Sequence, residues 1–409
     1  MAQSVLGSIS LGFRPLWNRA RGLAGLRLYV HEDDQGVDGA HLLRTLGELW
    51  TADSPTLVLS VRSRALLLGL ASNADSSSPQ IEVPVKWLGD AGLVATLSQA
   101  RQRGVHLIAA GTPQDELRPE HARLFDRRSL ALAATDAATA MQAALQLRQA
   151  AAAGRVGGRS ENSPIKTHAL VDGVASRALA EHALDQQGAW AVCGWPMEDV
   201  LHRYAGQPAP VSRRALVQVM SALDREDSLE RIDQLLGQEP TLTYRMLLYL
   251  NSAGLGLRSG VSTVRHGLMM LGYRKVNAWL AEQLPTASED ANLRPINATM
   301  VIRGHLMAQL MDAGVEDDLR REVYLCGLFS QLDLVMDEPL RAGFNRIPLA
   351  DRIVSAAISQ SGPYAAALQL AMALESADPA QLRALRIETE TTAEDANRAL
   401  LKTLAALGD

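Results

Sequence analysis

Residues 239–280 read EPTLTYRMLLYLNSAGLGLRSGVSTVRHGLMMLGYRKVNAWL. Pro240 precedes a run in which Leu242, Met246, Leu247 and Leu250 recur at helical spacing on one face. Asn251 is expected to close that helix through its side-chain amide, while Leu255 and Leu257 tuck inward from the glycine-rich turn 254–260. Ser262 stands where it can cap a second helix carrying Val264, Leu268 and Leu271, which Gly272 ends. The turn GLGLRSG lacks both the Lys-Ser/Thr ending and the preceding strand of a phosphate-binding loop. Two helices joined by a glycine turn decide the class of this half of the chain, which is all-α.

The same periodicity extends in both directions. Leu216, Val219, Met220 and Leu223 form one apolar stripe, and Leu229, Ile232, Leu235 and Leu236 form another, ended by Gly237. Further helices are expected at about 296–313, 317–335, 348–360, 363–375, 378–385 and 393–407, with Pro363 fitting a first turn. The pattern changes near 196–211, where Pro196, Pro208 and Pro210 cluster.

Before that point two periods alternate. Strand-like apolar runs lie at 25–30, 56–61, 80–85, 105–110, 129–134, 166–171 and 188–193. Between them, residues 39–51 place Leu42, Leu43, Leu46 and Leu49 on one helical face, and residues 87–101 do the same with Leu88, Leu93, Leu97 and Ala100. Residues 136–150 are Ala-rich, with Met141, Leu145 and Leu147 as their larger apolar side chains. Strands separated by helices imply parallel pairing with right-handed crossovers, and so many repeats favour a (β/α) barrel over an open sheet. The Gly/Ser-rich stretch 151–164 reads as a loop inside this domain.

Composition narrows the function classes. With 409 residues, 47% hydrophobic and 21% charged, the chain can bury two cores. A net charge of -5 gives no basic excess for nucleic acid and no polybasic membrane anchor. Cys193 and Cys326 lie far apart, without the spacing of a zinc site or a disulfide framework. No basic leader and no run of eighteen apolar residues is present, so a cytoplasmic protein with no membrane span is expected.

The helical half resembles an HDOD domain. The resemblance rests on Pro240, Leu242 and Arg245, on Asn251-Ser252-Ala253, on Ser262 with Leu271-Gly272, and on CGLFSQLDLVMDEPL at 326–340. Gly267 departs from the pattern, which has Ala more often at that place. HDOD domains are similar to HD-type phosphohydrolases without their metal ligands. By this resemblance the His-Asp slot falls on Ser330-Gln331, and only His266 and His305 occur beyond His202. Serine and glutamine cannot hold a pair of divalent ions.

The first half is similar to a degenerate EAL domain, the usual companion in EAL–HDOD signalling proteins. The resemblance rests on the opening Arg14-Pro15-Leu16-Trp17-Asn18-Arg19, on the order of the segments and on the closing GWPM at 194–197. It puts Arg27 at the signature glutamate, Ser60 near the next-strand asparagine, and Ala110-Gly111 at the Asp-Asp pair. Asp172 falls on a later glutamate, Cys193-Gly194-Trp195 on a Gln-Gly-Tyr closing motif, and Glu82 where a strand glutamate stands.

The reading is therefore an EAL-like (β/α) barrel at 1–198, a linker at 199–210, an HDOD domain at 211–395 and a C-terminal helix or tail at 396–409. The resemblance implies a non-enzymatic bacterial signalling or scaffold protein with other signalling proteins as partners, and with no catalytic residue, metal or cofactor. The alternatives are a catalytically dead cyclic di-GMP receptor and a residual phosphodiesterase. Asn251, Ser252 and Arg245 are candidate partner contacts, although a structural role for Asn251 is favoured. Arg27, Arg62 and Arg64 are candidate contacts for nucleotide phosphates. The acidic stretch Glu32-Asp33-Asp34 reads as a solvated loop, and His266 and His305 as interface or core-edge residues.

Overall fold

The computed structural model describes residues 4–34, 36–154, 158–252, 255, 260–311 and 317–408. Ala253, Gly254 and Leu257, part of the turn read above, lie outside the described residues. The chain forms two compact units, one made of Met1–Asp199 with Met372–Asp409, the other of Val200–Ala371.

The first unit is built on a closed barrel of eight strands in sequential order. These are β1 (Ile9–Trp17), β2 (Leu23–Glu32), β3 (Leu57–Val61), β4 (Gln80–Pro84), β5 (Leu107–Gly111), β6 (Arg127–Ala131), β7 (Leu170–Asp172) and β8 (Ala191–Cys193). From β2 to β8 all neighbours pair in parallel, as the alternating periods require. β1 corrects the sequence reading in two ways. It is a strand that periodicity did not mark, and it runs antiparallel to both β2 and β8. A hairpin, not a helical crossover, opens the barrel.

Asp38, Ser63 and Asp90 start the helices Gly39–Leu49, Arg64–Asn73 and Ala91–Gln102, each accepting a hydrogen bond from a first-turn amide. In the helix Ala134–Ala152 the buried face is Ala140, Ala143 and Ala144, while Leu145 is 57% exposed. The larger side chains named from the sequence thus do not define the inner face there. Small residues make up the buried face of this helix.

Alternate residues of each strand face the lumen. Its lower part is filled by Leu16, Val58, Ile108, Leu170 and Ala191, with Cys193 above. The first unit is completed by the helices Ala380–Glu388 and Ala393–Ala405, so residues 372–395 do not close the helical domain, as the boundary at 395 supposed. The reason is Asn397, fully buried, whose amide donates to the carbonyls of Leu6 and Ile9 at 2.8 Å each and accepts from the N–H of Leu11 at 3.1 Å. An amphipathic pattern marks a helix but not the core it joins.

The second unit is helical, with Arg213–Asp224, Leu229–Gly237, Pro240–Leu250, Val264–Leu271, Tyr273–Gln283, Arg294–Leu310 and Asp317–Phe329 as its main elements. Thr263, not Ser262, caps the helix Val264–Leu271, its hydroxyl accepting from the N–H of His266. The expected helix 317–335 is broken at Ser330-Gln331, after which Leu332–Met336 forms a separate turn.

Candidate functional site

Inside the barrel, β2, β4, β7 and β8 bring five side chains together: Arg27, Tyr29, Glu82, Asp172 and Cys193. Arg27 lies opposite Arg14 in the β1–β2 register, on the lumen face. Its Nε donates to Glu82 Oε2 at 2.9 Å, its Nη2 lies 2.8 Å from the same oxygen, and its Nη1 donates to Asp172 Oδ2 at 2.7 Å. Cys193 Sγ stands 4.0 Å from Nη1, and the Tyr29 hydroxyl is 3.7 Å from that sulfur. The guanidinium also lies 5.1 Å from the centre of the Tyr29 ring.

The surroundings shift the guanidinium, the thiol and the phenol from their ordinary pKa values. Burial opposes the charge on Arg27, but Glu82, Tyr29, Cys193 and Asp172 outweigh it and hold its pKa well above the ordinary value. Burial, with the nearby Asp172, pushes the Cys193 thiol up to about 11, so it is a thiol and not a nucleophilic thiolate at neutral pH. Burial likewise pushes the Tyr29 phenol up. Two carboxylates and one guanidinium leave the cluster with a single negative charge. Glu82 is 2% exposed, and its Oε1 has no hydrogen-bond partner.

The barrel family named by resemblance uses divalent metals, and the donor set here does not fit them. The guanidinium of Arg27 sits between Glu82 and Asp172 and engages one oxygen of each, placing a positive charge where a metal would have to sit. Among the described residues no group of three His, Cys, Asp or Glu side chains is placed to hold a metal ion. Ser60 lies beside Tyr29, and Ala110 lies between Pro84 and Ser129. None of Ser60, Ala110 or Gly111 adds a carboxylate to the lumen. Gly194 hydrogen-bonds the carbonyl of Pro15 at 2.9 Å and ties β8 to β1.

The other arginines proposed for phosphate do not join this cluster. Arg64 is paired with Asp90, and Arg62 is exposed just beyond the end of β3. Asp33 is not the solvated residue its acidic neighbours suggested. Its carboxylate accepts from Ser10 at 2.8 and 2.7 Å, from Arg383 Nε at 2.8 Å and from Arg386 Nη1 at 3.3 Å.

A chain Ser163–His182–Gln186 has the order of a hydrolytic triad, with Oγ to Nε2 at 3.0 Å and Nδ1 to Oε1 at 2.5 Å. Ser163 and His182 are each 1% exposed, so the chain has no access to a substrate and serves to tie a loop down.

In the helical unit, the slot at Ser330-Gln331 holds no metal donor set. Ser330 Oγ donates to the carbonyl of Gly327 at 2.8 Å and accepts from the buried Arg303 at 3.0 Å. His266 is exposed, and the ring of His305 lies 4.9 Å from that of Tyr324. Asn251 donates to the carbonyls of Leu247 at 2.7 Å and Val261 at 2.8 Å, and accepts from the N–H of Val261 at 2.8 Å. Ser252 is exposed, and half-buried Arg245 makes a long contact of 3.4 Å with the carbonyl of Ala209. The three do not form one cluster.

Comparison with known proteins places an HDOD domain at residues 209–338. The cyclic di-GMP phosphodiesterase CdgJ of Vibrio cholerae is 27% identical over 150 residues, 36% of this chain and 34% of that protein. The match thus spans about a third of the relative's length. Among solved structures, the MmoQ response regulator of Methylococcus capsulatus is similar over 48% of this chain and 98% of that one, with a TM-score of 0.38 and 18% identity. The EAL enzyme Bd1971, solved with cAMP and cyclic di-GMP, is similar over 46% of this chain and 61% of that one, with a TM-score of 0.32 and 10% identity.

Proposed function

We propose that this protein is a non-enzymatic component of bacterial cyclic di-GMP signalling that works through protein–protein contacts made by an inactive EAL-like barrel and an HDOD domain. The observation that carries this reading is Arg27 bridging Glu82 and Asp172. A divalent metal entering there would have to expel a guanidinium that is paired on both sides. Removing one member of a buried ion pair costs about 3–5 kcal/mol, which a metal would have to supply before any chemistry. In the HDOD domain, Arg303 bonded to Ser330 supports the same reading.

CdgJ, which is named as a phosphodiesterase, favours a second reading in which some turnover survives. Exposed Arg62 favours a receptor that binds the dinucleotide intact. Calorimetric titration of the whole protein with cyclic di-GMP, without and with Mg²⁺, separates the three. No hydrolysis is expected with Mg²⁺, Mn²⁺ or Ca²⁺. Metal-dependent turnover that disappears in Glu82→Ala would overturn the proposal. Binding without turnover would move it to the receptor reading.

A further inference from the structure

The lumen faces of β1 and β2 continue above Arg27 as two residue pairs, Gly12 with Tyr29 and Ser10 with His31. At about 3.4 Å per residue, the backbone of the first pair lies roughly 7 Å beyond the Arg27 backbone along the strands. These pairs do not face open solvent. A β-carbon on Gly12 would lie 2.0 Å from the carbonyl oxygen of Ser376 and 3.5 Å from that of Leu374. The first of these approaches leaves no room for any side chain, and the obstacle is backbone. His31 Nε2 is 2.9 Å from the carbonyl oxygen of Ala377. Beyond them, Arg383 bonds Asp33 and the carbonyl of Glu32, and Arg386 bonds Asp33 and Ser10.

We propose that residues 374–386 are a built-in cover over the β1–β2 side of the barrel mouth, latched by Arg383 and Arg386 on Asp33. The cover sits at the C-terminal ends of the parallel strands, the end from which a ligand would reach the Arg27 cluster. Asp172 keeps 30% of its side chain exposed, so the β7 side stays open while the β1–β2 side is shut. Gly12 admits the cover, Asp33 fastens it, and the buried Asn397 anchors the chain that follows. The segment thereby controls access to the mouth whether the barrel binds, hydrolyses or does neither.

Cys193 reports on this directly. It belongs to the Arg27 cluster and is 3% exposed, while the other cysteine, Cys326, is buried in the helical unit and serves as an internal control. Labelling of the full-length protein with a maleimide at about pH 9, where more thiolate forms, is followed by mass spectrometry. Two variants open the cover by different means: Asp33→Ala removes the latch, and Gly12→Ala pushes against Ser376. In each, the Cys193 rate is expected to rise about tenfold, as loss of two or three part-exposed ion pairs allows, with Cys326 unchanged. Hydrogen exchange over 374–386 should rise in parallel. Increased exchange over 374–386 with no change at Cys193 would overturn the proposal. So would equal acceleration at both cysteines, which would make the segment a strut of the whole fold.

Discussion

Gly267 faces Leu250 so closely that a β-carbon on the glycine would lie 2.2 Å from Leu250 Cδ1 and 2.6 Å from Cδ2. This explains why the position departs from the alanine more common in HDOD sequences. Gly267→Ala is expected to cost about 1 kcal/mol, the low end of the range for overpacking, because the obstacle is the far end of a side chain. Leu250→Val in the same background should return part of it. Denaturant melts of the two variants check the pairing.

The Arg27 bridge predicts an asymmetry between single and double changes. Arg27→Ala leaves Glu82 buried without its cation and is expected to cost about 3–5 kcal/mol. Arg27→Met with Glu82→Gln removes both charges and should cost much less. Chemical denaturation, followed in the barrel unit by hydrogen exchange, gives both numbers.

Arg27→Glu tests the same site from the opposite side. Three carboxylates then face one point, so the variant should be less stable than the parent without divalent cations and should gain melting temperature when Mn²⁺ is added. Turnover of cyclic di-GMP should remain absent, since Ser60, Ala110 and Gly111 supply no second set of ligands. A Mn²⁺ response in the parent equal to that of the variant would contradict the bridge.

Asn251 clamps the chain on both sides of its turn through three hydrogen bonds. Asn251→Ala should lower stability by about 1–3 kcal/mol, because buried backbone groups of Val261 lose their partner. An unchanged melt with lost signalling in cells would instead make this turn a partner surface.

Glu239, at the start of the helix Pro240–Leu250, has its carboxyl pushed up to about 8 by burial, against the opposing effects of Asn297 and Arg294. The folded state therefore holds a proton that the unfolded chain has lost, and the stability of the helical unit should fall as pH rises from 4.5 to about 8. Glu239→Gln keeps an oxygen for the Asn297 amide and removes the titration. It should flatten the pH dependence and stabilise the unit at neutral and higher pH. Hydrogen exchange over 240–250 at several pH values measures it.

Much of this architecture can be read from periodicity alone, because strand and helix spacing in the first half and helix spacing in the second are set by which residues face a core. β1 carries no clean strand period because Gly12 and Pro15 interrupt its apolar run, and the hairpin with β2 and the tight approach of Ser376 accommodate them. The resemblance singles out Arg27, Glu82 and Asp172, but their convergence is a product of barrel closure across 145 residues of sequence. The attachment of Asp33 to Arg383 leaves no local pattern for the same reason, since 350 residues separate them.

The return of the chain at Met372 makes the helical unit an insertion, joined to the barrel unit by two covalent crossings. Closing a loop of that size constrains the unfolded chain only a little more than closing one half as long, so the arrangement carries small entropic penalty. Its larger consequence is for dissection. Stopping the chain at 371 would spare the inserted helices yet strip the barrel of Asn397, leaving the carbonyls of Leu6 and Ile9 and the N–H of Leu11 without their partner. A faithful barrel fragment is discontinuous: 1–199 spliced to 372–409.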